Sequence, residues 1–489
     1  MTSKNNVSPG TAKEVKPGFR GWLDRRTGFD ALLREALNEP IPGGARLAYI
    51  FGSGLLFIFL SQVITGVFLA LYYVPSADHA HTTVAYITKS VTAGSFLRSL
   101  HTYGASAMIV VLLLHLSQTY LYGAYKGRRE LLWLTGCVLF GLVLAMAFTG
   151  YLLPWDQRAY FATAVGTNAV SEIPFIGESL KRVMRGGTDM GTLTISRFFV
   201  AHVFLIPAFI FALVASHIFL FRKVGAAGPA SEDPYSPTLK TELFYPRQVV
   251  MDLSLTALLI VALGLFAFFL PAPLGPRANP ADTQYVPRPE WYYLPIFQWL
   301  KYWHGAALIV GILVIPGLLV LFVLALPFLD RGVERRPWKR PIAMAAYAFV
   351  LCSLVGLGLR SRYLDARDVG IAPQLAKQKI EEDKFMRKPF EPELSSASLA
   401  AENVALADPD AAKGKAIFEA QSCNACHGDA GVGTAAGPAL VGVGAKYSTD
   451  RLENLLKHPT PKMTVGGMPS VDLPADDLKV LIAYVESLK

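Results

Sequence analysis

The feature that most constrains this chain is the placement of four histidines inside segments otherwise built from lipid-compatible residues. His101 and His115 are 14 residues apart in one apolar segment, and His202 and His217 are 15 apart in another. At 3.6 residues per turn, both spacings return the second imidazole to within about 40–60° of the first, about 21–22 Å further along the axis. Two such helices side by side would hold two stacked bis-histidine metal sites, one near each membrane surface. Iron porphyrin suits them, because haem iron takes axial imidazoles and the ring needs an apolar slot. A lone histidine in a membrane helix can instead hydrogen-bond a neighbouring helix. Ionisable groups inside a membrane are costly, however, and mark function, and two matched pairs favour the metal reading. Gly52 and Gly66, 14 apart in the first apolar segment, and Gly136 and Gly150, 14 apart in the third, repeat the same period. A glycine at each haem level lets a helix backbone approach the porphyrin face. The expectation is a di-haem four-helix bundle.

With 52% hydrophobic and only 17% charged residues, the 489-residue chain has the composition of a membrane protein. Its net charge of +9 is spread over loops, which points to a membrane surface and away from nucleic acid. Residues 1–45 are polar and basic and show no cleavable leader. They read as a cytoplasmic N-terminal segment with one amphipathic surface helix around Trp22 to Leu37. Seven apolar segments follow, near 47–74, 98–122, 131–152, 198–221, 248–270, 305–328 and 341–359, each about 20 residues long and so able to span a bilayer. Basic residues cluster after the second (Lys126, Arg128, Arg129), the fourth (Arg222, Lys223, Lys240, Arg247) and the sixth (Arg331, Arg335, Arg336, Lys339, Arg340). Those loops, and with them the N-terminus, are expected on the cytoplasmic side. Lys181, Arg182 and Arg185 lie opposite, in a long loop, where charge counts less.

After Gly358 the composition turns polar. Residues 361–408 contain no long apolar run and read as a linker; residues 409–489 form a small soluble unit. The latter carries Cys423-Asn-Ala-Cys426-His427, the pattern for covalent haem attachment, with two thioethers and an axial histidine. A zinc or redox pair is the weaker alternative, since no second cysteine pair exists; Cys137 and Cys352 lie alone in apolar segments as packing residues. Covalent haem is attached outside the cytoplasmic membrane. Seven spans from a cytoplasmic N-terminus put this unit on that side, an agreement independent of loop charge. Of its methionines, Met468 follows Gly466-Gly467 and precedes Pro469, whereas Met463 lacks a flanking glycine and His458 precedes Pro459 in a polar stretch. Met468 is the expected sixth ligand.

Residues Phe96 to Pro229 resemble the cytochrome b6 type of the cytochrome bc family. The matching stretches are Arg98-Ser-Leu-His101, Gly150-Tyr-Leu-Leu-Pro-Trp-Asp-Gln157, Ser179 to Arg197 and Arg222-Lys-Val-Gly-Ala-Ala-Gly-Pro229. The 15-residue histidine offset is also of that type. Residues 248–360 resemble subunit IV of the b6f complex, with Pro289-Glu290-Trp291-Tyr292, and the C-terminal unit resembles a class I cytochrome c through its haem motif, Gly437-Pro438, Met468-Pro469 and a last helix with Tyr484. The expected fold is therefore all-α: a seven-helix transmembrane di-haem cytochrome b bundle plus a small α-helical class I cytochrome c domain. Its parts are 46–230 (b6-like, four helices), 231–360 (subunit IV-like, three helices), a 361–408 linker and 409–489 (cytochrome c).

The resemblance implies two non-covalent b haems, held by His101 with His202 on the outer side and by His115 with His217 on the cytoplasmic side. It also implies one covalent c haem on Cys423 and Cys426 with His427 and Met468. Arg98 would meet a propionate. Quinol would be oxidised near Pro289, Trp291 and Tyr151, with Glu290 and Tyr292 as catalytic groups; a carboxylate is needed because oxidation releases protons. Quinone would be reduced near Arg222 and Asp252. Ile50 stands where the b6 type carries a cysteine for a third haem, so that thioether is absent, and Gln118 replaces a basic residue near the cytoplasmic pocket. No Rieske ligand set exists in the chain. The implied function is the core subunit of a proton-translocating quinol–cytochrome c reductase in a bacterial cytoplasmic membrane. Its implied partners are a Rieske iron–sulfur protein, a soluble or membrane cytochrome c or terminal oxidase, and a second copy in a homodimer. The alternatives are a di-haem membrane anchor for a dehydrogenase, which would not need the last three spans or the Glu290 loop, and a purely regulatory role for the C-terminal unit.

Overall fold

The computed structural model describes residues 18–231, 239–391, 409–428, 431, 433, 437–465 and 467–488. The chain divides into two units, Met1–Phe390 and Glu391–Lys489. In the first, seven helices have the length and apolarity to cross a membrane: α1 (Leu47–Ala70), α2 (Gly94–Leu121), α3 (Glu130–Tyr151), α4 (Thr192–Val224), α5 (Arg247–Phe269), α6 (Gly305–Leu329) and α7 (Pro341–Arg367). Their number is the expected one, and their apolar side chains turn largely outward, as a lipid-facing bundle requires. Helices α1 and α2 pack together, α3 packs on α4, and α5 lies against both α1 and α2. Ile58, Phe59, Met108, Val111, Ile206 and Ile210 form the buried core midway along the bundle.

Two spans differ in extent from the apolar runs. Helix α4 starts at Thr192, and α7 continues through a charged stretch to Arg367. The charges there are satisfied by neighbours: Asp365 receives both Nε and Nη2 of Arg288 at 2.6 Å, and Arg360 Nε reaches Tyr302 Oη at 2.8 Å. The linker reading of 361–408 is corrected over its first part. Residues Ile371–Arg387 form a helix, α8, within the first unit. Phe385, Met386 and Phe390 pack on Val84, Ala85 and Leu274, and Lys89 Nζ donates to Phe385 O at 2.6 Å. Three apolar side chains and these polar ties, with Arg158 on Glu382 at 2.5 Å, fasten it. Positions 392–408 lie outside the described residues.

The expected single amphipathic helix is two, Gly18–Thr27 and Phe29–Leu37, because Gly28 adopts φ +66°, which ends the first. A two-stranded antiparallel pair, β1 (Pro40–Pro42) and β2 (Thr241–Leu243), adds a little strand to an otherwise helical fold. On the same end of the bundle, Lys126, Tyr125 and Arg340 converge on Asp330 and tie two loops together.

The second unit packs α9 (Pro409–Ala420) across α11 (Ala475–Ser487), with α10 (Cys423–His427) beside them. Gly414 makes the crossing close, since a Cβ there would sit 2.6 Å from Tyr484 Cβ. Phe418, Leu452, Leu478, Leu481, Ile482 and Tyr484 form its core.

Candidate functional site

Each of the four glycines faces one of the four histidines, at two levels of the bundle. A Cβ at Gly66 would lie 3.2 Å from His101 Cε1, one at Gly136 would lie 3.4 Å from His217 Cε1, and one at Gly52 would lie 4.0 Å from His115 Cε1. At Gly150 it would collide with the His202 ring. What these glycines admit in the structure is thus an imidazole close to the neighbouring helix. The His101 and His202 rings stand 6.2 Å apart between centroids. That is the separation of two imidazoles bound on opposite sides of one metal ion, given about 2.0–2.1 Å per metal–nitrogen bond and about 1.1 Å from nitrogen to centroid. His115 faces His217 at the other level.

The ring orientations are fixed by residues that the spacing argument missed. Thr65 Oγ1 and Thr135 Oγ1 each lie 2.9 Å from Nδ1 of His101 and His217. Thr149 Oγ1 is 3.4 Å from His202 Nδ1, which also has Met146 O at 3.0 Å. Every one of these hydroxyls donates to a carbonyl of its own helix: Thr65 to Ser61, Thr135 to Leu131 and Thr149 to Ala145. Its lone pairs therefore accept from Nδ1–H, leaving the Nε2 lone pair for a metal. The signal was a Thr-Gly dipeptide at three of the four glycines. At the fourth, Phe51 precedes Gly52, and His115 Nδ1 is buried without a partner among the described residues.

The unequal spacings of 14 and 15 have a structural cause. His202 sits in a π turn, Ala201–Leu205, closed by Ile206 N–H donating to Ala201 O. Pro207 follows it and cannot donate to Val203 O, and its ring would clash with that carbonyl in a regular helix. The π turn relieves the clash by taking up one extra residue. Fifteen residues with one absorbed give the phase of 14, so both histidine pairs keep the same register. A second π turn, Val310–Val314, likewise precedes a proline, Pro316.

The loop carrying Pro289, Glu290, Trp291 and Tyr292 lies at the His101–His202 end of the bundle and is anchored on three sides. Arg288 is held by Asp365 of α7, Trp291 Nε1 reaches Ser106 Oγ at 3.4 Å, and Tyr293 Oη donates to Leu144 O at 2.7 Å. Trp291 and Tyr292 rings meet edge to face at 5.4 Å. Burial pushes the Glu290 carboxyl above the usual carboxylate range; Arg158 opposes this, and Asp156 and Glu382 add to it. Burial also raises the Tyr292 phenol, with Glu290 adding. The Tyr151 hydroxyl is buried with no hydrogen-bond partner among the described residues, an unmet polar group suited to a ligand oxygen. The Arg98 guanidinium donates to Ala272 O at 2.8 Å and Pro273 O at 2.6 Å and so clamps the loop that follows α5.

At the opposite end, Arg222 pairs with Glu35 at 3.4 Å and Glu39 at 3.3 Å, from the N-terminal segment. Asp252 accepts from Gln248 Nε2 at 2.9 Å. No ion pair or hydrogen bond joins Arg222 to Asp252 among the described residues.

In the second unit, Cys423, Cys426 and His427 occupy one short helix, α10. His427 Nδ1 lies 2.7 Å from Pro438 O, an oxygen that can only accept, so this imidazole too presents an Nε2 lone pair. Gly437, before Pro438, has no room for a side chain, since a Cβ would lie 2.8 Å from Cys426 O. Met468 N donates to Met463 O at 3.0 Å across a turn in which Gly467 has φ +89°. Both methionines are half-buried. The donor sets of both units fit haem: facing imidazoles inside the apolar bundle of the first, and in the second an imidazole with a free Nε2 lone pair on the same short helix as two thiols. Replacing Met468 with Ala is expected to abolish the near-infrared sulfur-to-iron band and lower the c-haem potential while both thioethers persist; Met463→Ala should do neither. The reverse result would move the ligand to Met463.

Comparison with known proteins agrees with this geometry. Residues 36–225 match the family "Cytochrome b/b6/petB", residues 277–373 match "Cytochrome b(C-terminal)/b6/petD", and residues 411–489 match "Cytochrome c". Cytochrome b of Rickettsia bellii is 34% identical over 360 residues, covering 72% of this chain and 88% of that protein. Cytochrome b/c1 of Bradyrhizobium diazoefficiens is 33% identical over 343 residues, covering 68% of this chain; the alignment spans 49% of that longer protein. A solved structure described as hyperthermophilic respiratory Complex III superposes with a TM-score of 0.64 at 26% identity, over 75% of this chain and 96% of that one. The chain is an integral membrane haem protein that belongs to the cytochrome b family, with a cytochrome c domain at its C-terminal end.

Proposed function

We propose that this chain is the core subunit of a proton-translocating quinol–cytochrome c oxidoreductase. The observation that carries the reading is Glu290, a carboxyl of raised basicity beside Tyr151 and Tyr292, at the same end of the bundle as the His101–His202 pair. Oxidising a quinol to a quinone releases two protons and two electrons. Glu290 takes a proton from a quinol hydroxyl, and the Tyr151 hydroxyl, which lacks a partner, positions the quinol oxygen. The anchored Trp291 and Tyr293 fix the loop that presents Glu290. Two b haems, held by His101 with His202 and by His115 with His217, and one c haem, held by Cys423, Cys426, His427 and Met468, supply the one-electron chemistry when bound. A separate Rieske protein is the proposed first acceptor, and a cytochrome c or terminal oxidase the last. At the other end, Asp252 with Gln248 is the proposed proton donor for quinone reduction, and Arg222 orders the N-terminal segment beside it. The proposed orientation puts the N-terminus in the cytoplasm and the Glu290 loop and cytochrome c domain outside, in a homodimeric complex.

Purification with its partners should give quinol-dependent reduction of cytochrome c and, by pyridine haemochrome analysis, b and c haem at two to one. A ratio of one to one would instead point to a third, covalently held haem despite Ile50; haem reduction by quinol with no cytochrome c turnover overturns the reading.

A further inference from the structure

Helix α8 brings a second carboxylate to the Glu290 site. Arg158, at the start of the helix Gln157–Ser171, divides its guanidinium between two acids: Nη1 lies 3.7 Å from Glu290 Oε1, and Nη2 lies 2.5 Å from Glu382 Oε2. Glu382 is 7% exposed, and its other oxygen takes Lys379 Nζ at 2.7 Å. Lys379 in turn reaches Asp383 at 3.1 Å, on the open side of α8. A cavity of ≈ 240 Å³ lies beside these groups, bounded by Asp156, Arg158, Tyr285, Pro289, Lys379 and Glu382.

Guanidinium does not release its proton in proteins, so Arg158 acts here as a fixed charge with two competing anions. While Glu290 is ionised it draws on that charge from the longer distance. Once protonated it is neutral and its hold weakens, and Arg158 is already seated on Glu382. We infer that Glu382 is a positioning residue of the quinol-oxidising site, holding Arg158 so that Glu290 stays basic enough to accept a proton and loose enough to release it into the cavity beside α8. The inference rests on Glu290 being the proton acceptor. The transfer is balanced: a quinol O–H bond breaks as a carboxyl O–H bond forms on Glu290, and that proton then leaves to solvent on the side of the cavity that Arg158 and Glu382 line, restoring the carboxylate.

The groups that face Glu290 are Tyr103 from α2, Tyr151 from α3, Asp156 and Arg158 from the helix start, Tyr292 from its own loop and Glu382 from α8. Among these, Arg158 and Glu382 act with opposite sign. Without Glu382 the guanidinium shifts towards Glu290, with Asp156 the remaining nearby acid, and favours the ionised form of Glu290; without Arg158 that form loses its counter-charge. In the complete complex, the acid limb of the pH profile for quinol oxidation should therefore move to lower pH in Glu382→Gln and to higher pH in Arg158→Met, by about one unit each. Glu382→Asp and Arg158→Lys should return it towards the parent position. Glu290→Gln should remove the limb altogether. Titration of the carboxyl infrared band that disappears in Glu290→Gln gives the same shifts without turnover. If the limb survives Glu290→Gln, the acceptor is another group and the functional reading fails. If it disappears there, but Glu382→Gln and Arg158→Met leave it in place or move it in the same direction, the role given to Glu382 is wrong. Should Arg158→Met not assemble, Glu382→Gln against Glu382→Asp decides alone, since a packing defect would not displace the limb.

Discussion

His202→Ala is expected to cost the protein the b haem proposed on His101 and His202 and leave the proposed c haem in place, changing the b to c ratio from the proposed two to one to one to one. Several observations converge on this outcome. Among the described residues His202 and His101 are the histidine pair at that level, and their 6.2 Å separation leaves room for one metal ion. His202 also carries two acceptors on Nδ1, Thr149 and Met146, which leave its Nε2 lone pair free. Alanine removes a donor, and the Gly150 backbone, which approaches the ring too closely for a Cβ, cannot supply another. His115 and His217 are at the other level, separated from this one by the apolar core of Ile58, Met108 and Ile206, so their haem should keep its spectrum. Redox-titrated difference spectra of the purified complex check the result. Survival of both b signals would refute the ligand assignment, and loss of both would mean that the two sites do not form independently.

The histidine ladder was legible because helical periodicity is a property of spacing alone, and four imidazoles in apolar sequence leave few alternatives. The number of spans was legible for the same reason, since apolar length needs no tertiary information. The details that finish the site depend on tertiary contacts that spacing does not encode. The offset of 15 looked like a family trait, whereas Pro207 is its physical cause and was visible as an X-Pro step inside a helix. The Thr-Gly repeat could have been noticed, but the partner of each hydroxyl lies 36 to 82 residues away in sequence. Helix α8 was read as linker because its apolar residues are few and its charges many; what stabilises it is packing of Phe385 and Phe390 on a distant helix. The two carbonyls of the loop after α5 that Arg98 holds are contacts that no local pattern announces. The amphipathic helix was misjudged at a single position, Gly28, where a glycine in an otherwise suitable pattern ended one helix and began another.

Glu290→Gln should slow quinol oxidation about 10²-fold, the lower end of the 10²–10⁴ range for a general base, without altering any haem spectrum. The low end follows from the surroundings. The Tyr292 hydroxyl and solvent can each accept a hydrogen bond from the quinol, so some proton transfer survives. Glutamine preserves the shape of the side chain, and the loop stays anchored by Arg288 on Asp365, Trp291 on Ser106 and Tyr293 on Leu144. Substrate binding should therefore change much less than turnover. The pH dependence has a definite sign. Burial raises the carboxyl of Glu290 above its usual range, so the wild-type protein loses its base at a higher pH than an exposed glutamate would allow. Below that point the rate should fall, and the fall should be absent in Glu290→Gln, whose slow rate has no carboxyl to titrate. The measurement is the pre-steady-state rate of haem reduction by quinol across pH, in a preparation whose b and c haem contents match the parent. An unchanged rate, with quinol oxidation limiting, would show that Glu290 does not take the proton. A rate that fell by the same factor at every pH would show that it matters only for structure.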